Sequence, residues 1–523
     1  MEELSRYLSA GSLLIQSEKG SPAPNLRAVL LTRLAQYRAQ CGLPECDCDD
    51  FSLEQAQEET AQGALSVVEN VQRILDQDEG MRLAPNVPSH SKEDEPGEVP
   101  LIGTRDISQL RTLLSIVFKW GTEPLLAKVQ VVWPARGGIT GQLFDVDDAP
   151  QLYAKLTTTI RRLLSLLFPR GVHGTIPQTL ITSTLLNRHI TDLLRPGIAL
   201  GWVPKALSTE SFAVVDDLRP FIMRLMTMYE PYSSKSILKL SSVPPSLPPS
   251  QTIASLGAIM SSSPPPPQHV HKSCASLLSR QLMRPNGVRG LFAAVFGENE
   301  SEEAPLEKLL HVAQVLGAVP SVVTAEVRPQ YQLERVVSPA HQEYFRSVIP
   351  RLVELLTPRA KASPAYIRAA SFTLSRMITA EGSPRHHALV SKVFLNLLHD
   401  PVLLITPDTR PDSLSTETTM APSPLEAINI VQMFLTNTDP APTLISTTLS
   451  PIATSLFSLL GTLARVKTTD PTLRESVRGL LLAWGRVVPT EEAVAILWAC
   501  LDGEGGDWAV DISGNVRRVE KCV

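Results

Sequence analysis

Apolar residues recur along this chain at three- and four-residue intervals, the period of a helix with one buried face. In EYFRSVIPRLVELLTPRAKASPAYIRAASFTLSRMI, Glu343–Ile378, the positions Phe345, Val348, Ile349, Leu352, Leu355 and Leu356 form one stripe. Arg346, Arg351 and Glu354 fall on the other side. Beyond Pro358, Ser363 and Pro364 a second stripe follows: Tyr366, Ala370, Leu374, Met377 and Ile378. Proline fits the first turn of a helix and cannot continue a preceding one, so the stretch reads as a helical hairpin. The same pattern predicts helices near 23–40, 53–78, 106–119, 150–168, 177–195, 209–229, 273–283 and 287–296. It continues near 304–317, 340–357, 364–379, 385–399, 424–435, 444–464, 471–486 and 490–501. Strand-like alternation is hard to find.

Helix pairs start near 340, 384, 424 and 471. The intervals are about 44, 40 and 47 residues, within the roughly 40–47 of HEAT and armadillo repeats. One such pair cannot bury both its faces, so neighbours must stack. The expected fold is therefore all-α, a HEAT/armadillo-like helical-repeat solenoid. The expected divisions begin with an N-terminal helical segment (1–88), an acidic flexible loop (89–104) and a helical region (105–240). A Pro/Ser-rich linker (241–270), HEAT-like helical repeats (271–505) and a C-terminal tail (506–523) complete them. The linker holds eight prolines and reads as a spacer, with an SH3 or WW ligand as the alternative. A further loop rich in Ser, Thr and Pro is expected at 406–424.

Composition supports this picture. The chain has 523 residues, 43% of them hydrophobic and only 5% aromatic. Leu, Val, Ala and Ile supply most of the apolar mass, which suits helix-on-helix packing better than a β-sandwich. With 48 basic and 53 acidic residues the net charge is −5, and no domain-wide basic field points to nucleic acid. Six cysteines are too sparse for a disulfide framework and fit a reducing compartment. The opening MEELSRYLSAGSLLIQSEKG carries Glu2 and Glu3 and no long apolar run, unlike a secretory signal. That leaves the sequon at Asn299 as an accident of composition. The uncharged stretch 440–464 is long enough to cross a bilayer. Its nine Ser and Thr residues, internal Pro451 and one-sided stripe from Leu449 to Leu463 fit a buried helix instead.

Candidate chemistry is sparse. Phosphate-loop, nucleophile-elbow, zincin and dinucleotide fingerprints are absent. GEGGDW (503–508) and ARGGITGQ (135–142) read as glycine-bearing loops. Cys41, Cys46 and Cys48 lack the paired spacing and the second pair of a zinc site. His386 and His387 are adjacent and point to different faces of a helix start. His269 and His271 flank the proline run and are expected to be exposed. The pairs Asp147–Asp148 and Asp216–Asp217 lie where helix capping explains them. No catalytic, cofactor-binding or metal-binding residue is assigned, and no cofactor.

Four segments carry a resemblance: HITDLLRPGIALGWVPK (189–205), RQLMRPNGVRGLFAAVFG (280–297), EYFRSVIPRLVELL (343–356) and YIRAASFTLSRMI (366–378). Together they resemble the transport and Golgi organization protein six family, over roughly 190–400 and more loosely in the N-terminal third. The resemblance implies an all-helical, HEAT-like, non-enzymatic scaffold that binds large protein cargo. Fungal members are associated with RNA polymerase II assembly and nuclear import, with polymerase subunits and nucleoporins as partners. Animal members are tied to protein secretion and Golgi organisation and are described as membrane-associated. Family members continue past RRVEKCV into further repeats, so the resemblance implies an array lacking its C-terminal repeats. The expectation is a cytoplasmic protein shuttling to the nucleus. The alternative is a peripheral, membrane-associated factor of the secretory pathway.

Overall fold

Proline sets most of the helix starts in the C-terminal half of the chain. In a computed structural model, which describes residues 2–15, 25–44, 51–82, 102–132, 149–174, 176–203, 217–227, 248–297, 304–318, 339–379, 384–405, 422–466, 471–511 and 515–519, the chain divides into two compact units. One is Met1–Leu277 and the other Leu278–Val523. Among the described residues the secondary structure is helical apart from one short hairpin.

The N-terminal unit contains α1 (Glu2–Ile15), α2 (Leu26–Cys41), α3 (Leu53–Arg82), α4 (Thr104–Ile116), α5 (Glu123–Val132) and α6 (Ala149–Leu167). It continues with α7 (Leu180–Arg188), α8 (Ile190–Gly201), α9 (Leu218–Thr227), α10 (Pro249–Met260) and the start of α11 (Gln268–Leu282). A π-helical turn, Val117–Thr122, joins α4 to α5. Helices α1, α2 and α4 pack on α3 around buried Leu14, Leu30, Leu65, Val68 and Leu113. Arg162 of α6 forks onto Glu69 of α3 at 2.8 and 2.7 Å and donates to Gln62 at 2.7 Å. The Gln109 amide of α4 donates to the Leu8 carbonyl of α1. Regions 1–88 and 105–240, expected as separate segments, thus share one core. Where α8 meets α9, a Cβ on Gly197 would collide with the Ile222 side chain.

The linker expected at 241–270 is corrected by α10. Pro249 starts that helix, and Ile253, Leu256 and Ile259 are buried. Gln251 donates to the Leu186 carbonyl, and Thr191 bonds Ser255, each at 2.9 Å, so α10 is docked on α7 and α8. The prolines sit at its ends, where their missing N–H groups cost nothing. The single helix expected over 177–195 is likewise two, broken at His189 with φ −114° and ψ 16°.

The C-terminal unit repeats one packing rule. It comprises α12 (Gly287–Phe296), α13 (Leu306–Gly317), α14 (Pro339–Leu355), α15 (Pro364–Ile378) and α16 (Pro384–Leu403). Then come α17 (Pro424–Thr436), α18 (Pro442–Leu449), α19 (Ala453–Arg465), α20 (Pro471–Gly485) and α21 (Thr490–Leu501). Each helix from α14 to α18, and α20, begins on proline, whose fixed φ suits a first turn. Ser423 caps α17 in a reciprocal box with Glu426, at 3.2 and 3.1 Å. Helix α12 packs on α14 and α14 on α16, while α13 packs on α15 and α15 on α17, giving two layers. This is the stacking of an armadillo-like helical-repeat solenoid. All six positions of the Phe345–Leu356 stripe are buried, as are Tyr366, Ala370, Leu374 and Ile378, while Met377 is half-buried. Arg351 is not on a bare face: it is half-buried and donates to the Leu282 carbonyl at 3.0 Å.

The apolar stretch 440–464 becomes α18, a tight turn at Ser450–Ile452, and α19. Pro442–Arg465 is long and apolar enough to cross a membrane by length and composition, and 44% of its most apolar window is buried. The tail expected at 506–523 holds an antiparallel hairpin, β1 (Asp507–Val510) with β2 (Val516–Val519), pairing Trp508 with Arg518. It docks because Arg518 donates to the Leu403 carbonyl at 2.7 Å and Trp508 is buried. Gly506, at φ 71°, lies so close to the Arg518 guanidinium that a side chain there would displace it.

Candidate interaction surfaces

Two surfaces stand out, one in each unit, and they differ in chemistry. In the C-terminal unit, α21 packs on α19, yet none of its residues is buried. Val494, Leu497, Trp498 and Leu501 follow helical spacing and are 46, 49, 62 and 76% exposed. On α20, Leu482 is also exposed. These four side chains form one exposed apolar face of α21, in contrast to apolar residues exposed singly elsewhere.

In the N-terminal unit a cleft of about 1440 Å³ opens between three stretches distant in sequence. The end of α4, the π-turn and α5 supply Phe118, Lys119, Glu123 and Gln130; α7 and α8 supply Arg188, His189, Asp192 and Arg195. The third wall is Met260, Pro264–Pro267 and the first turn of α11, with His269 and Lys272. His189 is 6% exposed, stacks on Phe118 at 4.8 Å between centroids, and sets its Nδ1 2.9 Å from an Asp192 carboxylate oxygen. His269 is half-buried, not exposed as its setting beside the prolines suggested. Its Nε2 donates to the Ala199 carbonyl at 3.3 Å, and burial holds its pKa below the ordinary histidine value.

Other titratable groups serve packing. Burial pushes the Cys274 thiol up to about 12 and raises that of Cys500, the opposite of what a reactive thiolate needs. Cys41 is half-buried, while Cys46 and Cys48 lie outside the described residues. Among the described residues no group of three or more His, Cys, Asp or Glu is placed to hold a metal. Asp217 immediately precedes α9 and pairs with Arg161 at 2.9 Å. Asp147, Asp148, Asp216, Asn299, most of the loop 89–104, residues 135–142 and most of 406–424 lie outside the described residues, as do the side chains of His386 and His387.

Residues 282–513 match the family model of the transport and Golgi organization protein 6 homolog, ARM-like repeat. That match covers most of the C-terminal unit and supports its assignment to that family. No curated protein and no solved structure matches the chain. The transport and Golgi organization protein 6 match runs from the end of α11 through β1 and stops short of β2, so it covers the two-layer stack and the bare face of α21. It reaches further toward the C-terminus than the resemblance read over 190–400, and it leaves the segment 189–205 outside. The armadillo-like repeat of this family is typically a non-catalytic scaffold.

Proposed function

We propose that this chain is a non-enzymatic helical-repeat scaffold that holds large protein cargo and serves RNA polymerase II assembly and nuclear import. The observation that carries the scaffold reading is the family-matched ARM-like stack of α12–α21. Stacked repeats present long surfaces on which many weak contacts add up, which suits multi-subunit cargo. The polymerase reading rests on the resemblance to fungal members. Its partners are polymerase subunits and nucleoporins rather than nucleic acid, and its place is the cytoplasm with shuttling to the nucleus.

A second reading has its own support. The family description names transport and Golgi organization, and Pro442–Arg465 has the length and apolarity of a membrane span. That reading makes the chain a peripheral factor in protein secretion, associated with membranes. Affinity purification of the full chain with mass spectrometry separates the two. Co-purified polymerase subunits from a salt-extractable pool support the first. Coat components from a pool that needs detergent overturn it in favour of the second.

A further inference from the structure

We propose that the cleft of the N-terminal unit binds an extended, acidic peptide segment of a partner protein. Three observations converge there. The first is polar. His189 Nε2, Arg195 Nε and Gln130 Nε2 are buried and have no hydrogen-bond partner among the described residues, and all three side chains line this cleft. Buried polar atoms without partners are costly, and such atoms gathered at one cavity point to a ligand that satisfies them. Arg195 and Gln130 can only donate through these atoms, so the ligand must bring acceptors. Stacking on Phe118 and the contact of Nδ1 with Asp192 fix the His189 ring.

The second observation is charge. Lys119, Arg188, Arg195 and Lys272 line the cleft, and none forms an ion pair among the described residues. Against them stand Glu123 and Asp192, the latter already engaged by His189. The chain as a whole is acidic, at −5, so this local excess of cations is a feature of the cleft and not of the surface.

The third is shape. About 1440 Å³ exceeds the roughly 300–1,000 Å³ of small-molecule sites. Pro264–Pro267 form part of one wall and carry no N–H donors, giving a rigid surface that loses little freedom on binding. Opposite, the π-turn brings Phe118 and Lys119 to the cleft, and such turns are frequent at functional sites. A nucleic acid is the poorer fit because Phe118 is buried and already stacked on His189, so its ring offers no platform to a base.

The test uses the full chain and two fluorescein-labelled peptides, one rich in Asp and Glu, the other its Lys-rich counterpart, read by anisotropy. Lys119 and Lys272 are exposed, so the double reversal Lys119→Glu, Lys272→Glu leaves the fold intact, as circular dichroism can verify. The expected result is saturable binding of the acidic peptide that weakens on the order of tenfold or more in the double variant and falls with added salt. A photo-crosslinking version of the peptide, applied to the unaltered chain, should label 115–130, 188–196 or 260–272. Affinity unchanged by the reversals, equal binding of the Lys-rich peptide, or labelling confined to other regions would overturn the assignment. So would equal competition by inorganic phosphate or by single-stranded RNA. The outcome does not depend on which cargo the repeats hold.

Discussion

The two units leave different groups unsatisfied. In the N-terminal unit the buried side-chain atoms without partners include strong donors: the guanidinium nitrogens of Arg33 and Arg195 and the amides of Gln72 and Gln130. Among the described residues of the C-terminal unit they are the hydroxyls of Ser371, Thr373 and Ser391 and the Trp508 indole. Bare apolar residues show the opposite bias. Leu26, Leu43 and Leu53 are scattered in the first unit, whereas α21 of the second carries a continuous stripe. A regular stack satisfies its backbone within helices and leaves apolar surface where stacking stops. An irregular assembly of helices leaves a concave polar space instead. The binding proposed for the first unit is directional and charge-dependent, whereas a partner on the bare face of the second would be held by apolar contact tolerant of geometry.

Breaking the repeat core gives the largest effect. Leu352 is fully buried in α14, so Leu352→Asp should cost about 3–5 kcal/mol by placing an unpaired charge among apolar side chains. Hydrogen exchange should show α14–α17 losing protection while α1–α4 keep theirs. Equal losses in both units would end the distinction between them. Next is Leu256→Ala in α10, where truncating a fully buried side chain should cost about 2–5 kcal/mol. A chemical denaturation midpoint identical to the parent's would mean that 249–260 is a spacer after all.

A smaller effect comes from acid. Burial lowers the pKa of His399, whose Nε2 donates to the Thr448 carbonyl at 2.8 Å in the C-terminal unit, and of His269 in the N-terminal unit. The folded state holds these protons more weakly than the unfolded chain, where the ordinary value is 6.5. Stability is then complete above that value and is lost as the pH falls through it toward the folded pKa. Thermal melts from about pH 7 down to about pH 5.5 should show the decline. In His399→Asn it should become shallower, with the remainder following His269; an unchanged slope would remove His399 from the account. The smallest effect is expected at the bare face. Trp498→Ser should shift stability by less than about 0.5 kcal/mol, because the indole is 62% exposed, yet it should weaken cargo retention in a pull-down.

Much of the repeat unit was legible in the sequence. Its helix boundaries follow proline, and its stripes hold apolar residues at every turn, so α14, α15, α20 and α21 lie within a residue or two of expectation. Helix α10 obeys the same rule, with Pro249 at its first turn, but its short stripe of Ile253, Leu256 and Ile259 was masked by the prolines around it. Helix α5 was hidden similarly, since the π-turn carries the chain from α4 into α5 without the break that marks other starts. The hairpin had even less signal. Four-residue strands show too little alternation to register, and Arg518 holds them by reaching carbonyls more than a hundred residues away.

What the sequence determined by itself is the helical class, the repeat spacing and the buried face of each repeat. These depend on periodicity and on proline chemistry within a few residues, which every local segment carries. Tertiary structure alone decided that 1–88 and 105–240 share one core, that Arg351 is drawn inward and that α21 stays bare. It alone brought Gln130, His189 and Lys272 to a single cleft. Those outcomes depend on contacts between residues tens to hundreds of positions apart, and no local pattern encodes which distant side chains will meet.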